Sequence, residues 1–399
     1  MTGPLDGTRL CQLHTAGVSI WLDTLSRELL TSGAFASLVE SACVTGATSN
    51  PTIFAAAIQG ADKYEEQLRS RLAAGERDVE ALFLDLALTD VSQAAAVLRP
   101  AFEHSGGRDG FVSFECTPTI AYDTNATIDQ ARMLWHRLNQ PNVMIKVPGT
   151  GPGIKAVEQL TADGVNVNIT LLFAQSRYEE VIEAYQAGLE RRITTGGSIE
   201  GIASVASFFV SRIDTKVDES LPAGSSLRGR IAIANAKLAY QIYRRHHRGP
   251  RWDRLAGHGA APQRPLWAST GTKNPAYSDV QYVEELIGPD VVNTMPDQTL
   301  RAFANHGRVG PTVEQGVDEA AGLVHQLAST GTDLDAITTE LEHEGVSSFC
   351  DSYRALLHCI IQQAEHLGFS LDRPDPLAVS GEQESRPRTR RGGSTSTVE

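Results

Sequence analysis

The chain is poor in several things that would each have fixed its class early. Its 399 residues hold only five cysteines, an odd number, at 11, 43, 116, 350 and 359, with no CxxC pair. That argues against a disulfide framework or a zinc site and for reduced, cytosolic thiols. There is no uninterrupted run of about 18 apolar residues, so no membrane span is expected. The N-terminus, "MTGPLDGTRLCQLHTAG", lacks a basic segment followed by an apolar core, so no signal peptide is read there. Positive charge is in deficit: the formal net charge is −13. A general nucleic-acid binder would carry a basic face, so that class is set aside, while a local cationic pocket for an anionic substrate remains compatible. No G-x-G-x-x-G follows the first apolar run, and the glycines of "GTGPG" (149–153) lack the GK[ST] ending of a phosphate loop. They read as a tight strand-to-helix turn. The eleven histidines are scattered, with "HH" at 246–247 in a basic stretch, and no metal-ligand spacing appears.

What is present is an alternation. Short apolar, β-rich runs occur at 18–23, 43–50, 111–115, 143–148, 165–172, 202–210, 265–270 and 291–296. Amphipathic segments separate them; in "LSRELLTSGAFASLVES", Leu25, Leu29, Leu30, Phe35 and Leu38 fall near helical spacing. Eight strands separated by helices predict an α/β fold, a (β/α)₈ barrel, with a doubly wound sheet as the alternative. From about 311 the chain is strongly helical, predicting one or two added C-terminal helices with an apolar stripe of Phe349, Tyr353, Leu356, Leu357, Ile360 and Ile361. The expected organisation is one catalytic barrel domain over 1–379 and a disordered tail over 380–399, which has almost no apolar residue. The basic cluster "YRRHHRGPRWDR" (243–254) reads as a solvated helix end.

The strand ends are unusually polar: Asp23, Ser49, Asn50, Glu115, Lys146, Asn168, Thr170, Ser207, Arg212 and Ser269. In a barrel of this kind the chemistry sits at the C-terminal ends of the strands. Lys146, inside "NVMIKVPGT", is the most informative. A lysine near a strand end is most often a surface residue. This one has apolar neighbours on both sides and a glycine-rich turn after it, and a barrel wall around it would favour the free amine. A free amine suits Schiff-base chemistry on a carbonyl substrate. Asp23 and Glu115 are then either proton-transfer groups or structural ion-pair partners.

With these residues on the page, the sequence resembles the transaldolases, in the longer bacterial form. The matching segments are "GVSIWLD", "GATSNPTIF", "VSFE", "NVMIKVPGT", "VNVNITLLF", "VASFFVSRID", "LWASTGTKNP" and "VNTMPDQTL", in the family's order over roughly residues 15–370. The resemblance implies a Schiff-base aldolase barrel: a cytoplasmic transferase with no cofactor and no metal, acting on small sugar phosphates. It would move a dihydroxyacetone unit from sedoheptulose 7-phosphate or fructose 6-phosphate to glyceraldehyde 3-phosphate or erythrose 4-phosphate, in the non-oxidative pentose phosphate pathway. It implies no nucleic-acid or membrane partner and specifies no oligomeric state.

Position by position, the resemblance makes Lys146 the Schiff-base lysine and Asp23 the carboxylate that moves the sugar-hydroxyl proton. Glu115 and Thr170 would hold a catalytic water. Asn50, Asn168 and Ser207 would hydrogen-bond the three-carbon unit, and Arg212 and Ser269 would bind phosphate. Many transaldolases carry an arginine two residues after that serine; here Gly271 stands there, and Lys273 is the substitute cation. The alternatives are a fructose 6-phosphate aldolase, whose members carry tyrosine where Phe209 stands and are far shorter, and a non-catalytic sugar-phosphate-binding barrel.

Overall fold

A computed structural model describes residues 7–59 and 62–371. The expected tail at 380–399 lies outside the described residues. Eight parallel strands, β1 (Val18–Leu22), β2 (Val44–Thr48), β3 (Phe111–Glu115), β4 (Val143–Pro148), β5 (Val167–Leu172), β6 (Ser204–Phe209), β7 (Arg264–Ala268) and β8 (Val291–Met295), close into a barrel in sequence order. β1 pairs with β8 to complete the ring, Val18 opposite Val291 through Leu22 opposite Met295. This is the (β/α)₈ architecture and not the doubly wound sheet. The apolar runs are continuous because a parallel strand wrapped by helices is covered on both sides.

Local chemistry sets the turns at the C-terminal face. Asn50 caps the helix Pro51–Ile58, accepting from the Ile53 N–H at 2.9 Å. After β4, Thr150 caps the helix Gly151–Asp163, accepting from the Gly153 N–H at 3.1 Å. A Cβ on Gly153 would lie 1.9 Å from the Pro148 carbonyl oxygen, so this turn needs glycine there. "GTGPG" is thus the strand-to-helix turn the sequence suggests. Between β1 and β2 the amphipathic segment is two short helices, Arg27–Thr31 and Ala34–Ser41, broken at Gly33, whose φ is 78°.

The opposite end of the barrel is closed by structural polar groups. Asp109 accepts from Trp21 Nε1 at 2.9 Å and from the Ser19 hydroxyl, and Arg264 donates to Ser19 at 2.7 Å. The helix Thr8–Thr15 lies at this end and brings a correction. Cys11 and Cys43 form a disulfide, with Cα atoms 5.2 Å apart, contrary to the expectation of reduced thiols throughout. The 32-residue separation gave no local signal; the pair is made by packing that sets this helix beside the residue preceding β2. Cys116, Cys350 and Cys359 are free.

Helix Val79–His104 is, by length and composition, apolar enough to cross a membrane; here it packs on β2 and β3, with 56% of its most apolar window buried. The basic end of helix Ile231–His246 is more engaged than a merely solvated one. Arg245 and His246 pair with Glu179, each at 2.7 Å, and Arg251 pairs with Glu190 at 2.8 Å. Past β8 come two added helices, Val317–Ser329 and Leu334–His366. The second, 33 residues long, is capped by Asp333 and runs beside helices Pro51–Ile58, Val79–His104 and Ser211–Ser220.

Candidate active site

Register places three polar side chains at one level of neighbouring strands. Glu115 on β3 is opposite Lys146 on β4, and Lys146 is opposite Asn168 on β5. Thr170 follows two residues along β5, so it shares Asn168's side of the strand. Lys146 is 5% exposed. Its Nζ lies 3.3 Å from Glu115 Oε2 and donates to the Ser49 carbonyl at 3.4 Å. A lysine this deep is tolerable because a carboxylate and a carbonyl both face it.

Above the amine is a cavity of about 300 Å³ at the C-terminal mouth. Of the residues singled out from sequence, Asp23, Asn50, Lys146, Thr170, Ser207, Phe209, Arg212, Ser269 and Lys273 line it. Ser49, Glu115 and Asn168 do not. Glu115 reaches the cavity only through Lys146. Asn168, fully buried, lies beneath the floor: its Oδ1 accepts from Ser207 at 2.6 Å and its Nδ2 donates to Ser113 at 2.9 Å. The Ser207 hydroxyl donates to Asn168, which leaves the Ser207 oxygen able to accept from the cavity side. The Thr170 hydroxyl is buried and has no hydrogen-bond partner among the described residues.

The two carboxylates are held differently. Burial pushes Asp23 above the ordinary carboxylate range; the charge of Lys146, a hydrogen bond from Thr48 and the charges of Lys273 and Arg212 pull it back. Burial also raises Glu115, opposed mainly by Lys146. The Thr48 hydroxyl donates to Asp23 Oδ1 at 2.8 Å and lies 2.7 Å from that of Thr294. Sequence reasoning missed Thr48 and Thr294. Both sit at the ends of strands, where their polarity was the available signal, but only the closure of the barrel, with β1 between β2 and β8, brings them together beside Asp23.

The cationic side is built from β6 and β7. Arg212 stands in the first turn of helix Ser211–Ser220, with its guanidinium 5.5 Å from the Phe209 ring centroid. Ser211 and Ser269 are joined through their hydroxyls at 3.0 Å. Ser269 has φ 55°, a left-handed conformation in a residue other than glycine, of the kind that concentrates at functional sites. Lys273 is exposed on the following loop, which is tied down where the Tyr277 hydroxyl donates to Asp218 at 2.5 Å. Two positive groups at one rim suit a doubly charged phosphate.

One further lining residue comes from far along the chain. Phe349, on the C-terminal helix, has its ring centroid 5.9 Å from Lys146 Nζ. The sequence marked it only as part of an apolar stripe.

A wider groove of about 550 Å³ lies between helices Gln175–Thr194, Val317–Ser329 and the start of the C-terminal helix. Its charged lining groups are Asp333, which caps that helix, and Asp335, so it gathers no comparable chemistry. Among the described residues no group of three His, Cys, Asp or Glu side chains is placed to hold a metal ion.

Compared with known proteins, residues 20–360 match the family model described as transaldolase/fructose-6-phosphate aldolase. Similar curated proteins include the transaldolase of Parafrankia sp. (strain EAN1pec), 46% identical over 89% of this chain and 97% of that protein. The transaldolase of Thiobacillus denitrificans is 47% identical over 86% of this chain and 96% of that protein. That of Acidothermus cellulolyticus is 45% identical over 92% and 98% respectively.

Proposed function

This chain belongs to the transaldolase/fructose-6-phosphate aldolase family, and we propose that it is a transaldolase, moving a dihydroxyacetone unit from a ketose phosphate to an aldose phosphate through an imine on Lys146. The observation that carries this reading is a lysine amine, 5% exposed, set between Glu115 and the Ser49 carbonyl at the floor of a cavity rimmed by Arg212 and Lys273.

These positions support the following proposed steps. The Lys146 amine adds to the ketose carbonyl, and the carbinolamine loses water to give the imine. Glu115, 3.3 Å away, takes and returns the protons of these steps, with Thr170's free hydroxyl available to hold the departing water. Asp23 accepts the proton of the hydroxyl on the carbon beyond the breaking bond as that bond cleaves and the aldose leaves. The electron pair remains on the three-carbon unit as an enamine on Lys146. Attack of the enamine on an acceptor aldehyde reverses the sequence, Asp23 now returning its proton to the new hydroxyl. Asn50 and Ser207 would hold the hydroxyls of the three-carbon unit, and Arg212, Ser269 and Lys273 the phosphate. Phe209, which turns an apolar ring to the cavity, favours transfer over release of free dihydroxyacetone. By the chemistry of its substrates the enzyme would serve the non-oxidative pentose phosphate pathway.

The test is chemical trapping. Borohydride added with fructose 6-phosphate should leave a reduced three-carbon adduct on the peptide containing Lys146, and Lys146→Ala should abolish both adduct and turnover. An adduct on another lysine, or none, would refute the assignment.

A further inference from the structure

The C-terminal helix Leu334–His366 lies across the mouth of the barrel and is fastened along its length. Lys216 pairs with Glu340 at 2.7 Å, Arg177 with Glu342 at 3.2 Å, the hydroxyls of Thr52 and Ser352 meet at 2.7 Å, and Gln363 donates to the Ile58 carbonyl at 2.6 Å. Phe349 is at the middle of this span. One turn before it stands Gly345, where a Cβ would lie 2.9 Å from Leu171 Cδ2. Leu171 itself has φ 62° and sits where the β5–β6 register is irregular. The helix therefore sits close against the Leu171 side chain at the end of β5. One turn after Phe349 stands Tyr353, packed edge-on against Phe83 at 5.8 Å between centroids; Phe83 in turn lies against Phe54 and Phe114. With contacts on both sides along one helix face, Phe349 has little freedom to withdraw. It is 5% exposed and its ring faces the cavity over Lys146.

We propose that Phe349 is a specificity-determining residue of the transfer reaction: its ring roofs the amine and decides between an acceptor aldehyde and water. The inference rests on the imine reading of Lys146. After bond cleavage the enamine has two fates. It can attack the aldehyde carbon of an acceptor, forming a carbon–carbon bond, with the alkoxide taking a proton from Asp23; the iminium so formed then adds the water held by Glu115 and Thr170, and the carbinolamine collapses to the new ketose and the free lysine amine. Or its terminal carbon can take a proton from solvent water, giving the three-carbon iminium, which hydrolyses in the same way to free dihydroxyacetone. Both fates use the held water; only the second needs solvent water over the enamine carbon as a proton source. A fixed aromatic ring there excludes it, as closed sites do for reactive intermediates. An aldose can still approach from the side of Arg212 and Lys273, where its phosphate is recognised.

The experiment compares wild type, Phe349→Leu and Gly345→Ala. Leucine keeps an apolar side chain but removes the ring; alanine at 345 crowds Leu171 Cδ2, so that side chain or the helix must shift, with Phe349 intact. For each protein three quantities are read: borohydride trapping on Lys146 with fructose 6-phosphate, acceptor-free release of glyceraldehyde 3-phosphate over many turnovers, and transfer to erythrose 4-phosphate. The ratio of acceptor-free release to transfer does not depend on how much of a variant is folded. Trapping should persist, and the ratio should rise by roughly 10-fold or more in Phe349→Leu, with a smaller rise in Gly345→Ala. If wild type traps on Lys146 and neither variant changes the ratio, the roof proposal is overturned while the imine reading stands. If wild type gives no adduct on Lys146, the imine reading fails first.

Discussion

Replacing Thr48 by valine should shift the acidic limb of the rate–pH profile to higher pH. The Thr48 hydroxyl donates to Asp23 Oδ1 at 2.8 Å, and this bond, with the charges of Lys146, Lys273 and Arg212, opposes the rise that burial imposes on the Asp23 carboxyl. Valine keeps the branched shape and removes the donor. A hydrogen bond to an ionised group is worth about 1.5–3 kcal/mol. Its loss should therefore raise the Asp23 carboxyl further above the ordinary carboxylate range. The sign is fixed by the proposed role: Asp23 must be ionised to accept the hydroxyl proton, so a higher pKa costs activity at a higher pH. The assay is kcat for transfer from fructose 6-phosphate to erythrose 4-phosphate as a function of pH. Thr294→Val is the control, because Thr294 touches Thr48 at 2.7 Å while the hydroxyl that donates to Asp23 is that of Thr48; its limb should stay near that of wild type. If the limbs of wild type and Thr48→Val coincide, the carboxylate that limits the rate at low pH is not Asp23.

Arg212→Ala should raise KM for fructose 6-phosphate by about 10–150-fold and leave KM for unphosphorylated fructose nearly unchanged, whereas Lys273→Ala, at an exposed position, should cost only about 1.5–5-fold; equal effects on both sugars would remove phosphate from the role of either residue. Burial raises Asp214 to about 7, so the folded state keeps a proton that the unfolded chain releases near 3.8. The stability this gives is fully present below about pH 4 and lost as pH rises through 7, up to about 4 kcal/mol; urea titrations at pH 5 and 8 should show that difference shrinking in Asp214→Asn, and an unchanged difference would refute it. Cys43→Ser should lower unfolding stability by about 3–4 kcal/mol under non-reducing conditions, the cost of freeing a loop of this length; coincident urea midpoints would show that the Cys11–Cys43 link contributes nothing.

The strands were legible because burial on both sides writes a simple pattern, continuous apolar residues ended by a polar one. Hence Asp23, Lys146, Ser207 and Arg212 could be picked out in advance, and all four line the cavity. What was hidden depended on contacts between distant segments. The Cys11–Cys43 pair needs the helix at the base of the barrel in place. The break at Gly33 needs a left-handed residue that helical spacing does not announce. Asn168 reads like any other strand-end amide, yet its bonds to Ser113 and Ser207 put it under the floor. Phe349 has the same periodicity as Tyr353 and Leu356, and only the seat at Gly345 and Leu171 sends it to the amine instead of to a helix interface.

The C-terminal helix also orders events during synthesis. A ribosome delivers residues from the N-terminus at about 5–20 per second. Lys146 is made early, but β1 cannot find β8 until residue 291 has emerged, and Phe349 emerges later still, roughly 10–40 s after the lysine at that pace. Its helix then docks backwards, onto elements made at the start: Pro51–Ile58, Glu65–Ala73 and Val79–His104. A growing or prematurely terminated chain can thus own the nucleophile and even a closed ring of strands while still lacking its roof. On the proposed mechanism such a chain would spend sugar phosphates on water. On that proposal full-length translation would act as a proofreading step, the last long helix being what would turn a leaky lysine into a transferase.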